Sequence, residues 1–259
     1  MNTVAAEASV DFIVSTGDNF YPRGVRSEYD PLWHFSFENI YTGFALQWDW
    51  YPVLGNHDYG DNPEAQVRYS AISRRWNMPS RYYKKSIPIS GDTTNQLLLI
   101  FIDTTPLINR YDQGSGHKVH DQDSVAQRQW IEATLAGRKP NVRWTFIVGH
   151  HPMYTGGGRE NSDDTRAIRR VLEPLLTKYK IDAYLSGHEH SLQHLDPGNG
   201  VQHFVSGAAS EITPVRMIPA AKFAVSQYGF MLFSVSREKA MVQVVDFQGK
   251  VLYLASMKK

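Results

Sequence analysis

The sequence predicts an α/β fold, and three observations carry that expectation. Four apolar runs each end in a polar, glycine-containing loop, a helix-spaced stretch separates the last two of them, and short alternating runs fill the C-terminal fifth. Phe12-Ile13-Val14 runs into Gly17-Asp18-Asn19-Phe20-Tyr21, and Val53-Leu54 into Gly55-Asn56-His57-Asp58. Phe146-Ile147-Val148 runs into Gly149-His150-His151-Pro152, and Tyr184-Leu185 into Gly187-His188-Glu189-His190. Ligands of open α/β sheets collect at the carboxyl ends of strands. Singly, an Asp after a strand is usually a cap or turn residue, and a lone His usually structural. Jointly, four strand ends carrying only oxygen and nitrogen donors, with no sulfur, describe a site for first-row metal ions.

Composition narrows the class. A chain of 259 residues, 42% hydrophobic and without a repeat or long low-complexity linker, suits one domain spanning 1–259 with a real core. A formal charge of +1 from 27 basic and 26 acidic residues leaves no nucleic-acid-binding patch and no footprint for an anionic membrane. The absence of cysteine rules out disulfides and thiolate metal sites. No apolar run approaches the roughly 18 residues of a membrane span, and Met1 onward lacks the pattern of a signal peptide.

The elements follow in order. Met1 to Ser9 reads as the end of a helix, with Val4, Ala5 and Ala8 on its apolar face. The stretch to Asp49, rich in aromatics from Trp33 to Trp48, is expected to pack a helix and loop against the sheet. A helix is expected over Gly60 to Trp76, with Asn62 and Pro63 at its start. Tyr82 to Ile89 and Gln96 to Asp103 read as strands, the second apolar enough to be covered on both faces. Residues Gln113 to Asp123 read as a surface loop in which His117 and His120 are solvated and not ligands. Helices over Ser124 to Ala136 and Asp163 to Lys178 flank the strand Trp144 to Val148. The second carries Ile168, Val171, Leu172, Leu175 and Leu176 on one stripe. Thr155 to Asn161, with three glycines, reads as a mobile loop, either open to an anion or simply a flexible turn. Gln202 to Ser206, Phe230 to Ser236, Met241 to Asp246 and Val251 to Leu254 read as hairpins of a second, antiparallel sheet.

The motifs GDNFY, GNHD, GHHP and GHEH, in this order and with these spacings, resemble the calcineurin-like metallophosphoesterases. Tyr21, three residues after Asp18, resembles the purple acid phosphatases among them, in particular the tartrate-resistant type. The resemblance implies a four-layer αββα sandwich of two mixed sheets flanked by helices. It also implies a first strand ending in Gly-Asp-x-Gly, which this sequence does not contain. The chain is therefore expected to be truncated, or to start at an internal methionine, and to bind the Fe(III)-side metal poorly.

The same resemblance implies the chemistry. Asp18 bridges two metals, Tyr21 and His190 complete an Fe(III) side, and Asn56, His150 and His188 hold Fe(II), Zn(II) or Mn(II). His57 is implied as the acid for the leaving group, and His151 as a neighbour and not a ligand. The loop after Pro152 has no second catalytic histidine, which leaves that acid/base role to Arg159 or a water, with Arg159 the substrate-binding candidate. His194 is read as either supporting His190 or packing. The implied partners are a small phosphorylated substrate and inorganic phosphate as product, and the implied location of a full-length form is secreted or periplasmic. Phosphomonoester hydrolysis is the favoured activity. A metallophosphodiesterase acting on nucleotides or phospholipid head groups and an impaired binding module are the alternatives.

Overall fold

The computed structural model of the chain describes residues 1–112 and 119–259. The elements are α1 (Asn2–Glu7), β1 (Phe12–Ser15), β2 (Asp49–Pro52), α2 (Glu64–Tyr69), β3 (Tyr83–Ile89), β4 (Asp92–Phe101), α3 (Asn109–Asp112), α4 (Ser124–Ala136), β5 (Val142–Val148), α5 (Asp163–Lys178), β6 (Ala183–Ser186), β7 (Leu192–Leu195), β8 (Gln202–Ser206), β9 (Ala221–Val225), β10 (Gly229–Val235), β11 (Lys239–Asp246) and β12 (Val251–Lys258). Helix α4 starts where the Asp123 carboxylate accepts the N–H groups of Val125 and Ala126, and α5 where the Ser162 hydroxyl accepts that of Thr165.

Seven strands form one mixed sheet in the order β3-β4-β5-β6-β8-β7-β9. Its centre, β4-β5-β6-β8, is parallel, because α4 and α5 return the chain between β4, β5 and β6. The pairing of Leu97 with Trp144, Leu99 with Phe146 and Phe101 with Val148 puts these side chains on one face. That face receives the remaining strands: Phe101 packs on Tyr51 of β2, and Phe146 and Phe204 on Phe233 of β10. The opposite face carries Leu98, Ile100 and Ile147, which share the core with Ile131 and Leu135 of α4 and Ile168, Leu172 and Leu176 of α5. One large mixed sheet thus carries helices on one face and the remaining strands on the other, and those strands form two separate small sheets in place of the single second mixed sheet expected.

The second layer is a parallel pair, β1-β2, and an antiparallel meander, β10-β11-β12. Between β1 and β10 lies an apolar cavity of about 400 Å3, covered by Val4, Ala5 and Ala8 of α1 and floored by Leu97, Leu99 and Phe146.

Three expectations change. Gln202–Ser206 forms a strand, but it pairs parallel with β6 in the large sheet and does not join the meander. The helix expected over Gly60 to Trp76 ends at Tyr69. Beyond it the Ser70 hydroxyl and the Met78 backbone bond each other, and the chain turns Trp76 into a cluster with Phe20, Trp33 and Phe37. The aromatics before Asp49 divide: Trp33 and Phe37 are buried, whereas Phe35, Phe44 and Trp48 are exposed. His117 lies outside the described residues, and His120 is exposed.

Candidate metal centre

Strands β1 and β2 are parallel neighbours in the small layer and β5 and β6 in the large one, so four carboxyl ends meet at one edge. The loops that follow are packed backbone to backbone. Gly17 has φ 91°, and a Cβ there would stand 2.7 Å from His150 Nδ1 and 2.9 Å from the Gly55 nitrogen. Asp18 and His188 hold left-handed conformations, with φ of 53° and 65°. For residues other than glycine this costs on the order of 1–3 kcal/mol and persists only where the surroundings over-determine the backbone.

The donors converge. Asp18 Oδ1 accepts the His57 backbone N–H at 2.8 Å, while Oδ2 lies 3.1 Å from His150 Nε2 and accepts the Tyr21 hydroxyl at 3.2 Å. His150 Nδ1 donates to the Thr16 carbonyl at 2.8 Å, which turns Nε2 towards Asn56 Oδ1 and His188 Nδ1, each 3.2 Å away. Tyr21 and His190 Nε2 are 3.3 Å apart. Adjacent donors bound at 2.0–2.1 Å around one small cation stand about 2.8–3.4 Å from one another in octahedral or tetrahedral arrangement. Asp18, Asn56 and His188 each place a donor at such a distance from His150 Nε2. Asp18, Tyr21 and His190 supply donors on the other side of the shared carboxylate.

Charge follows the same geometry. Burial opposes ionisation of Asp18, yet the facing His150 and the His57 N–H hold its carboxyl well below the usual range. Burial likewise disfavours a charged His150, but Asp18 draws its pKa above the ordinary value. Burial takes His188 down to about 4. Tyr21 is raised by burial and by Asp18, so in the absence of a cation it is a phenol.

Around this cluster, His57 donates from Nδ1 to the Pro22 carbonyl at 2.7 Å and packs on the Tyr21 ring at 4.6 Å. Arg159 lies at the rim, its side chain 41% exposed, and its Nη1 reaches the His188 carbonyl at 3.4 Å. Its loop is not the open, mobile turn expected from three glycines. The Gly156 N–H goes to Gln193, that of Gly157 to Thr155 and that of Arg159 to Glu189, at 2.7, 2.9 and 2.7 Å. A Cβ on Gly157 would overlap the Glu189 carboxylate, so this glycine serves close packing.

Other histidines are engaged elsewhere. His151 has ligand atoms within 4.8 Å of those of His150 and His188, but its two nitrogens meet Thr104 Oγ1 at 2.7 Å and the Tyr111 hydroxyl at 3.3 Å. His194 bonds Tyr253 and Gln202. Asp103 is buried beside the Tyr59 hydroxyl, with its backbone held at both ends by Gln127.

Sequence reasoning missed three acids. Asp58, fully buried, accepts the backbone N–H groups of Asn19, Phe20 and Gly55 and thereby clamps the first two loops together. Burial and the nearby Asp18 push it up to about 6. Glu189 anchors the Arg159 loop, and Asp164 faces His188 from the first turn of α5. A carboxylate ending a turn rich in free N–H groups is the only signal the sequence offers for Asp58.

The sequence profile of the calcineurin-like phosphoesterases matches residues 1–192. "Purple acid phosphatase 17" of Arabidopsis thaliana is 34% identical over 267 residues, covering 98% of this chain and 76% of the relative. "Tartrate-resistant acid phosphatase type 5" of Mus musculus is 34% identical over 95% of this chain and 78% of its own. The chain belongs to the purple acid phosphatases, within the calcineurin-like phosphoesterases. It is thereby a metal-dependent phosphoesterase. Among solved structures, GAP50, the anchor in the inner membrane complex of Plasmodium, superposes with a TM-score of 0.84 at 24% identity over 99% of this chain and 81% of that one. The purple acid phosphatase PPD1 of yellow lupin seeds gives 0.72 at 16% identity, over 99% and 48%. At these identities the two structures establish the fold. Among the described residues, no helix is long and apolar enough to cross a membrane.

Proposed function

We propose that this purple acid phosphatase hydrolyses phosphate monoesters, giving an alcohol and inorganic phosphate, at a dinuclear Fe(III)–M(II) centre with M being Fe(II), Zn(II) or Mn(II). The observation that carries the reading is the position of one atom: Asp18 Oδ2 is 3.1 Å from His150 Nε2 and 3.2 Å from the Tyr21 hydroxyl, so a single carboxylate is shared by two sets of donors. Asn56, His150 and His188 would hold the divalent ion. Tyr21 and His190, with phenolate oxygen the hard donor, would hold Fe(III). Such a pair supplies a hydroxide nucleophile at acidic pH and positive charge beside the phosphoryl oxygens.

The protein's own groups do the rest. His57, with its Nδ1 proton given to the Pro22 carbonyl, keeps Nε2 to carry a proton to the leaving alkoxide. Arg159 offers a guanidinium at the mouth of the site for the substrate phosphate, its loop fixed by Glu189. The test is hydrolysis of p-nitrophenyl phosphate against bis-p-nitrophenyl phosphate by iron-reconstituted protein, with its visible spectrum. Preference for the monoester and a visible phenolate charge-transfer band that disappears in Tyr21→Phe support the assignment. Preference for the diester, or an active iron-loaded protein without the band, refutes it.

A further inference from the structure

Behind His188 lies a set of side chains that the proposed reaction does not use. Asp164 is 1% exposed. Its Oδ2 faces His188 Nε2, a buried nitrogen with no hydrogen bond among the described residues, across 3.5 Å, and accepts the Tyr111 hydroxyl at 3.0 Å, while its Oδ1 pairs with Arg110 Nε at 2.7 Å. Arg110 in turn reaches the Tyr111 hydroxyl at 3.0 Å and is half exposed, so the chain of contacts runs from the surface to the imidazole. The other nitrogen of that imidazole, Nδ1, is the one that meets His150 Nε2 among the converging donors. The His151 ring closes the remaining side of His188, at 4.4 Å between ring centroids.

Asp164 is not needed to start its helix. The Ser162 hydroxyl already accepts the Thr165 N–H, and Asp163 stands exposed in the same turn. A carboxylate buried against the far nitrogen of an imidazole has a specific consequence: it holds the proton on that nitrogen, leaves the other lone pair free for a cation and fixes the plane of the ring.

We infer that Asp164, anchored by Arg110 and Tyr111, is a positioning residue that holds His188 as the Nε2–H tautomer with Nδ1 directed at the divalent ion. The inference rests on the reading of Asn56, His150 and His188 as the divalent side. It adds a requirement on one chain residue that touches neither metal nor substrate.

The test uses the full chain with Zn(II) alone as probe. Wild type, Asp164→Asn, Asp164→Leu and Arg110→Met are compared by calorimetric titration of Zn(II) and by the ring 15N shifts of His188 in metal-free protein. Removal of a partner behind a ligating histidine typically weakens metal binding about 10–100-fold. Asp164→Leu should fall in that range and lose the single-tautomer signature. Asp164→Asn, whose carbonyl still accepts the Nε2 proton, should lose less and keep it. Arg110→Met should lie between wild type and Asp164→Leu. It covers the case in which Asp164→Leu does not fold. Zn(II) affinity within twofold of wild type in folded Asp164→Leu, or in Arg110→Met where Asp164→Leu does not fold, or an Nδ1–H tautomer in wild type, overturns the inference. Equal Zn(II) binding by wild type and His150→Ala would instead remove the underlying site assignment.

Discussion

The Asp58 carboxylate is the place where the fold and the site can be separated experimentally. It is fully buried and accepts N–H groups from Asn19 at 3.1 Å, Phe20 at 3.2 Å and Gly55 at 2.9 Å. Asp58→Ala leaves three buried donors without an acceptor. Each unsatisfied group costs about 1–3 kcal/mol, less where water enters the space left behind, so a loss of about 3–5 kcal/mol is expected. For a chain of this length, 1 kcal/mol moves the midpoint by about 2–4 °C, which places the drop in Tm at roughly 10 °C. Asp58→Asn, with one acceptor oxygen in place of two, should lose part of this. The assay is thermal unfolding followed by circular dichroism in excess chelator, so that cation binding cannot contribute. Because the loops that Asp58 clamps carry Asp18 and Asn56, metal affinity measured without chelator should fall as well. A Tm within 3 °C of wild type for Asp58→Ala would refute the clamp.

Two further predictions follow from groups outside the donor cluster. His203 is buried between Tyr154 and Tyr184 with neither nitrogen partnered, and burial takes it down to about 3. Its contribution to stability is complete above the unfolded value near 6.5 and is lost as pH falls towards 3, so by pH 4.5 it has cost about 2–3 kcal/mol. His203→Phe should therefore gain that amount over wild type between pH 8 and pH 4.5 in urea titrations, and parallel pH–stability curves would show the argument to be wrong. Gly157→Ala pushes its Cβ into the Glu189 carboxylate, whereas a Cβ on Gly158 meets nothing within 4 Å. Gly157→Ala should raise KM for p-nitrophenyl phosphate about tenfold and Gly158→Ala should leave it unchanged, and equal effects would exclude close packing as the role of Gly157.

The sequence made the four ligand loops legible because each follows an apolar run and carries donors of one chemical kind. The helix over Asp163 to Lys178 was legible too, by its periodicity. Strand β7 was not, because Gln193 and His194 interrupt its apolar pattern, and both find partners distant in sequence: Thr155 and Gly156 for Gln193, Tyr253 for His194. Strand Gln202–Ser206 was legible as a strand but not in its pairing, since alternation does not say which sheet a strand joins. Asp58, Asp164 and Glu189 escaped because each acts on a neighbour's backbone or imidazole. Their partners are fixed only by the meeting of loops, and no local pattern records that meeting.

The way the donors are divided between the layers gives the centre a second physical role. Asp18, Tyr21 and Asn56 follow β1 and β2, whereas His150, His188 and His190 follow β5 and β6 of the large sheet. Each half of the cluster takes groups from both: Asp18 and Asn56 meet His150 and His188, and Asp18 and Tyr21 meet His190. Among the described residues, the polar contacts that tie the two layers here include Asp18 with His150, His150 with Asn56 and the Thr16 carbonyl, and Tyr21 with His190. A slide of one layer over the other by about 1 Å would break hydrogen bonds of this length. The left-handed backbones at Asp18 and His188, one on each side of the seam, resist that slide because neither residue can relax without moving its glycine-packed neighbours. A cation held by the proposed donors Asp18, Asn56, His150 and His188 would therefore cross-link the sheets as well as order the loops, and part of its binding free energy would be free energy of sheet packing.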